Sequence, residues 1–139
     1  MLPDAVPRAE REVPEPMAYL LAALGGALGA LARWGLAEAL PSPGGWPWAT
    51  LLINLTGCLL IGALFAGLAA RSPEPPWARP FLAVGVLGGY TTYSTFAVEV
   101  VRLAEDGAVV LATGYVLLSF MGGVAAVALG AVAVRWATR

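Results

Sequence analysis

The chemistry open to this chain rests on a few polar side chains set in apolar sequence. Nine consecutive positions, Gly88-Gly89-Tyr90-Thr91-Thr92-Tyr93-Ser94-Thr95-Phe96, place a run of hydroxyls and aromatic rings behind a pair of glycines. Asn54 is the only amide side chain in the protein. Thr50 lies four residues before it and Gly57 three after, which gives one small, polar helix face. Tyr115 and Ser119 stand four apart, with Gly122 and Gly123 continuing their face. Hydroxyls and an amide NH₂ donate hydrogen bonds, and aromatic ring edges carry the positive part of the quadrupole. Arg33 adds a positive charge. Glu99 lies toward the end of its segment, three residues from Arg102, with which its spacing allows a pair. Such a lining suits a small anion better than a cation, a proton relay or an apolar drug.

The remaining inventory excludes most other chemistry. There is no histidine, and Cys58 is the only cysteine. Zinc sites, disulfide frameworks, Ser-His-Asp triads and Cys-His dyads are therefore ruled out within one chain. All eight basic residues are arginines, so neither a lysine Schiff base nor a P-loop lysine is available. A net charge of -1 gives no basic footprint for nucleic acid. With no coherent nucleophile–base pair, the chain reads as a non-enzyme.

The elements that must position these residues are membrane spans. Only 12% of residues are charged, against about a quarter in soluble domains, and mean hydropathy is +0.76. Four apolar stretches, approximately 17–40, 48–70, 81–103 and 109–134, each approach the roughly 20 residues needed to cross a hydrocarbon core. Strand alternation is absent and Ala, Leu and Gly dominate, so the spans are predicted as helices in one domain over 17–139. Residues 1–16, with four prolines and mixed charge, read as a disordered or surface-lying arm. Trp46, Trp48, Trp77 and Trp136 fall at span ends, where an interfacial aromatic belt belongs. Six arginines lie on the side of the termini and two, Arg33 and Arg102, on the other, which favours cytoplasmic termini.

Within these spans, polar residues need a task or a partner. Two glycines followed by hydroxyl and β-branched residues make a poor uninterrupted helix, so a break is expected near Gly88 to Thr92. The plain alternative is a glycine kink with Ser and Thr bonding back to their own helix. For Asn54 two readings stand, helix–helix glue or a ligand in a pathway. Arg33 either snorkels to the interface or lends a positive field to a vestibule. Gly25 and Gly29 form a small-xxx-small pair whose plain use is close helix packing. Four helices enclose little space, so a transport path calls for a second subunit.

Gly25-Gly26-Ala27-Leu28-Gly29-Ala30 leading to Arg33-Trp34, then Asn54-Leu55-Thr56-Gly57, then the nine-residue stretch from Gly88 to Phe96 resembles the Fluc/CrcB fluoride channel family. The resemblance runs from Met17 to the end of the chain. It implies an all-α membrane protein of four transmembrane helices, the third broken mid-membrane, assembling as an antiparallel (dual-topology) homodimer. It implies passive fluoride export across the cell (inner) membrane. By position it assigns fluoride contacts to Asn54, Tyr93 and Phe96, with Ser94, Thr95, Tyr115 and Ser119 in the polar lining and Glu99 near the pathway. The carbonyls of Gly88 and Thr91 match ligands of a structural sodium ion at the dimer interface. This chain carries Tyr93 where the family usually has phenylalanine. The competing class is a small multidrug-type proton-coupled exporter, also four short helices. That chemistry wants a membrane-embedded carboxylate in the first helix, where only Glu38, close to a span end, is available.

Overall fold

The computed structural model describes residues 13–40, 45–71 and 73–139. Residues 1–12 of the expected arm 1–16, the loop at 41–44 and Ser72 lie outside them, and Glu15 and Pro16 of that arm are already helical. Among the described residues all regular structure is helical. Four helical spans, Glu15–Ala39, Trp48–Ala69, Arg79–Glu105 and Val109–Ala137, are long and apolar enough to cross a membrane.

The first helix, α1 (Glu15–Ala39), starts two residues before the apolar stretch does. Pro16 is no obstacle there, because the first amides of a helix have no intrahelical partner to lose. The first bond, Ala18 N–H to the Pro14 carbonyl at 3.0 Å, forms without the proline nitrogen. The second helix, α2 (Trp48–Ala69), runs parallel to the last, α5 (Val109–Ala137), and packs closely along it. A Cβ at Gly62 would collide with the Val127 carbonyl, and one at Gly130 with the Leu59 carbonyl.

The third span has three parts. Its first, Arg79–Leu87, is wound as a π-helix, and the Gly88 amide bonds the Ala83 carbonyl five residues back. A short α-turn, Gly88–Tyr90, completes what we call α3. Thr91 is then extended (φ -76°, ψ 160°), and helical structure resumes as α4 (Ser94–Glu105). The backbone thus leaves the helix after the two glycines. Two Cβ-less backbones of this span serve packing instead: a Cβ on Gly89 would run into Gly26, and one on Gly85 would sit 2.8 Å from the Gly25 Cα. Gly25 and Gly29 face the α3 backbone in the same way, so the small-residue pair of α1 is used for close approach.

Between α4 and α5 the chain turns through Gly107 at φ 78°. The Ala108 amide bonds the Leu103 carbonyl at 2.9 Å and the Gly107 amide bonds Ala104 at 3.1 Å. This paired closure needs a left-handed residue, which glycine supplies without steric penalty. The turn brings α4 back against α5, where Leu51, Phe96, Leu103, Ala112 and Tyr115 form a buried cluster.

Candidate functional site

Where α3 gives way, the backbone would be short of hydrogen-bond partners, and α2 supplies them. Asn54 accepts the Thr92 amide on Oδ1 at 2.9 Å and donates Nδ2–H to the Thr92 carbonyl at 2.8 Å. The side chain copies a peptide group and stitches α2 to the extended segment. Thr92 in turn caps α4: its Oγ1 accepts the Thr95 amide at 3.2 Å, donates to Thr95 Oγ1 at 3.0 Å and lies 3.3 Å from Ser94 Oγ. Such a cap satisfies an orphan amide of the first turn. On the other flank Arg33 Nη1 approaches the Thr91 carbonyl at 3.4 Å, and Thr56 Oγ1 meets Tyr90 Oη at 2.8 Å. Arg33 is thus brought to the interruption from α1.

Beside this junction lies an open cleft of about 450 Å³ between α2, α4 and α5. Asn54, Thr91, Thr92, Tyr93, Phe96 and Ser119 line it, with Cys58, Ile61 and Val127 among its other walls. The Asn54 amide has one N–H left over after its bond to Thr92, since an NH₂ carries two donors. Ser119 Oγ is buried and has no protein partner. Tyr93 and Phe96 stand with ring centroids 6.0 Å apart, but their surroundings differ: Tyr93 is 76% exposed and Phe96 8%. Ser94 and Thr95 are exposed beside Tyr93.

Phe96 closes the inner end of the cleft and leads to a second polar group. Its ring lies 5.1 Å from Tyr115 and 6.4 Å from Phe120, the latter edge-on. Tyr115 is fully buried and donates Oη–H to Glu99 Oε2 at 2.8 Å. Thr50 Oγ1 donates to the other carboxylate oxygen at 2.7 Å. Glu99 and Arg102 share a smaller hollow of about 250 Å³ with Trp46. They do not pair: among the described residues the ion pair is Arg79–Glu74, and both Glu99 oxygens are taken by hydroxyls. The spacing expectation fails because Thr50 and Tyr115 reach the carboxylate from packed neighbouring helices. Trp46 also departs from a purely interfacial place, since its ring stacks edge-on against Tyr115 at 5.9 Å.

The structure therefore draws Asn54, Tyr93, Phe96 and Ser119 into one cleft and sets Tyr115 with Glu99 behind Phe96. Ser94 and Thr95 stand at the open side, and Arg33 on the opposite flank of the interruption. Two residues gain roles that spacing did not single out. Thr50 signalled itself only as a small polar neighbour of Asn54, and Thr92 was one hydroxyl in a row of several. Hydroxyl donors, a spare amide N–H and ring edges, gathered beside the start of α4 with its partial positive charge, make a place for a small acceptor anion.

The sequence is similar to known proteins over most of its length. Residues 20–131 match the family model described as CrcB-like protein, Camphor Resistance (CrcB). The chain is 48% identical over 115 residues to the fluoride-specific ion channel FluC of Bordetella petrii, covering 83% of this chain and 89% of that one. It is 43% identical over 125 residues to fluoride-specific ion channel FluC 2 of Nocardia farcinica, covering 89% of each. To the corresponding protein of Rhodospirillum centenum it is 44% identical over 123 residues, or 85% of this chain and 95% of the relative.

Proposed function

The chain belongs to the CrcB-like family, and on that footing we propose that this multi-pass membrane protein is a fluoride-selective channel. Fluoride would leave the cell through it passively, across the inner membrane, which lowers its level in the cytoplasm. The observation that carries the reading is the convergence of Asn54, Tyr93, Phe96 and Ser119 on one cleft at a helix interruption. Fluoride is small and strongly hydrated, so a path must replace its water with several close donors. Asn54 Nδ2–H, the Ser119 hydroxyl, and the Ser94 and Thr95 hydroxyls at the open side are such donors. The edges of Phe96 and Tyr93 add weak positive contacts that an ion can leave again, which conduction requires. Beyond Phe96, Glu99 repels an anion unless its charge is offset. The Thr50 and Tyr115 hydroxyls donated to it provide that offset and hold the carboxylate aside.

Half of this path is open. Tyr93, Ser94 and Thr95 line or flank the cleft yet are exposed, a costly state for hydroxyls facing lipid. A second copy, arranged as an antiparallel homodimer, would cover them and complete two such paths. The interruption also suits a monovalent cation. A continuous helix would send the Thr92 amide to the Gly88 carbonyl, but that amide goes to Asn54. The extended Thr91 turns its carbonyl out of the helix, with only the long Arg33 contact upon it. Gly88 and Thr91 would hold sodium by these carbonyls, and the ion would supply the missing positive partner where two copies meet. No carboxylate lies in the segment, which disfavours a divalent ion.

Efflux from proteoliposomes, followed with a fluoride electrode beside a chloride electrode, tests the reading. Fluoride should leave while chloride stays. Equal loss of both ions, or retention of fluoride, would overturn it.

A further inference from the structure

We propose that the groove between the C-terminal halves of α2 and α5 seats an acyl chain of an anionic phospholipid, whose phosphate is held by Arg135. The groove encloses about 450 Å³. Glycine and alanine positions such as Gly62 and Ala131 carve it out, and Ile61, Phe65 and Val127 wall it. Arg135 is the only polar side chain in its lining. Because α2 and α5 run parallel, the groove ends at Arg135, next to Trp136. That tryptophan is 77% exposed, as a side chain at the headgroup layer is.

Two of the arginines at this end, Arg79 and Arg135, are not equivalent. Arg79 sits over the Phe65 ring at 5.7 Å and forms two hydrogen bonds to Glu74, at 2.7 and 3.0 Å. The hydrogen bond from Arg79 holds the Glu74 carboxyl below the usual carboxylate range. Arg135, by contrast, donates only Nε–H, to the Ala131 carbonyl of its own helix at 3.3 Å, and has no acidic partner among the described residues. An apolar slot capped by an uncompensated guanidinium fits an amphiphile with a hydrocarbon tail and an anionic head. A hydrated ion finds no donors along the walls, and a zwitterionic lipid carries its own cation against Arg135.

The test is native mass spectrometry of the full chain, extracted from vesicles of equal phosphatidylglycerol and phosphatidylcholine. Phosphatidylglycerol should be retained about five-fold over phosphatidylcholine, the ratio that corresponds to roughly 1 kcal/mol for one arginine at an anionic surface. Arg135→Gln should bring the ratio to one, while Arg79→Gln leaves it unchanged. Ala131→Phe, or Ala66→Leu if the first variant does not fold, should fill the groove and lose both lipids. Equal retention by the parent protein overturns the proposal. So does a ratio indifferent to Arg135→Gln, or a groove that holds no lipid because a second copy occupies it. None of these readouts depends on fluoride flux.

Discussion

Asn54 carries two duties whose costs can be separated. Its carbonyl and one N–H hold the Thr92 backbone, and the other N–H is left over on a residue that lines the cleft. Asn54→Asp keeps the acceptor for the Thr92 amide but loses both donors and adds a negative charge. Fluoride flux through the folded variant should fall by at least ten-fold, measured by electrode. Asn54→Ala should also lower thermal stability by about 1–3 kcal/mol, the cost of leaving buried backbone groups without partners. Tyr115→Phe removes one donor from Glu99 and should cost a similar 1–3 kcal/mol, read as a lower melting temperature in detergent. Spacing alone puts Tyr115 and Ser119 on one face. It cannot say that the first is buried against Glu99 and that the second lines the cleft with its hydroxyl buried, because periodicity fixes direction and leaves depth open. The same limit explains Glu99 and Arg102, which share a face but not a bond.

The four spans were legible at the level of elements, because length and hydropathy alone define a crossing helix. The glycines of the third span were legible as a weak point, yet their use was not. Helix propensity treats Gly88-Gly89 as a place to unwind, whereas both stay helical, Gly89 against α1, and the departure comes at Thr91. The π winding before them had no local signal, since it depends on how α3 fits against α1. Three substitutions weigh these elements. Gly29→Val places a Cβ against the Val86 carbonyl and 2.8 Å from the Tyr90 nitrogen. It should cost several-fold more than Gly35→Val, where a Cβ meets nothing within 4 Å; the yield of folded protein on gel filtration is the readout. Gly107→Ala forces a left-handed alanine and should cost about 1 kcal/mol in thermal unfolding.

For the whole molecule the proposed second copy sets the topology. An antiparallel pair has no fixed orientation relative to the cell, so each loop lies on both sides. Asp106→Cys in a Cys58→Ser background should therefore be labelled by an impermeant thiol reagent from both faces, each in roughly half of the molecules. Labelling from one face alone would count against that arrangement.

The π-wound segment also bears on changes in chain length. Each of its hydrogen-bonded loops holds one residue more than an α-helical loop does. Arg79–Leu87 can therefore give up a residue by rewinding as α-helix, while the helix beyond it keeps its orientation. Nothing in α4 offers that slack: removing one residue there turns the downstream helix by about 100° and carries Glu99 away from Thr50 and Tyr115. Deletion of Val84 should leave a folded protein with measurable fluoride flux, and deletion of Val98 should leave none. Lineages that gain or lose single residues in this span are then expected to do so before Gly88 rather than after Phe96.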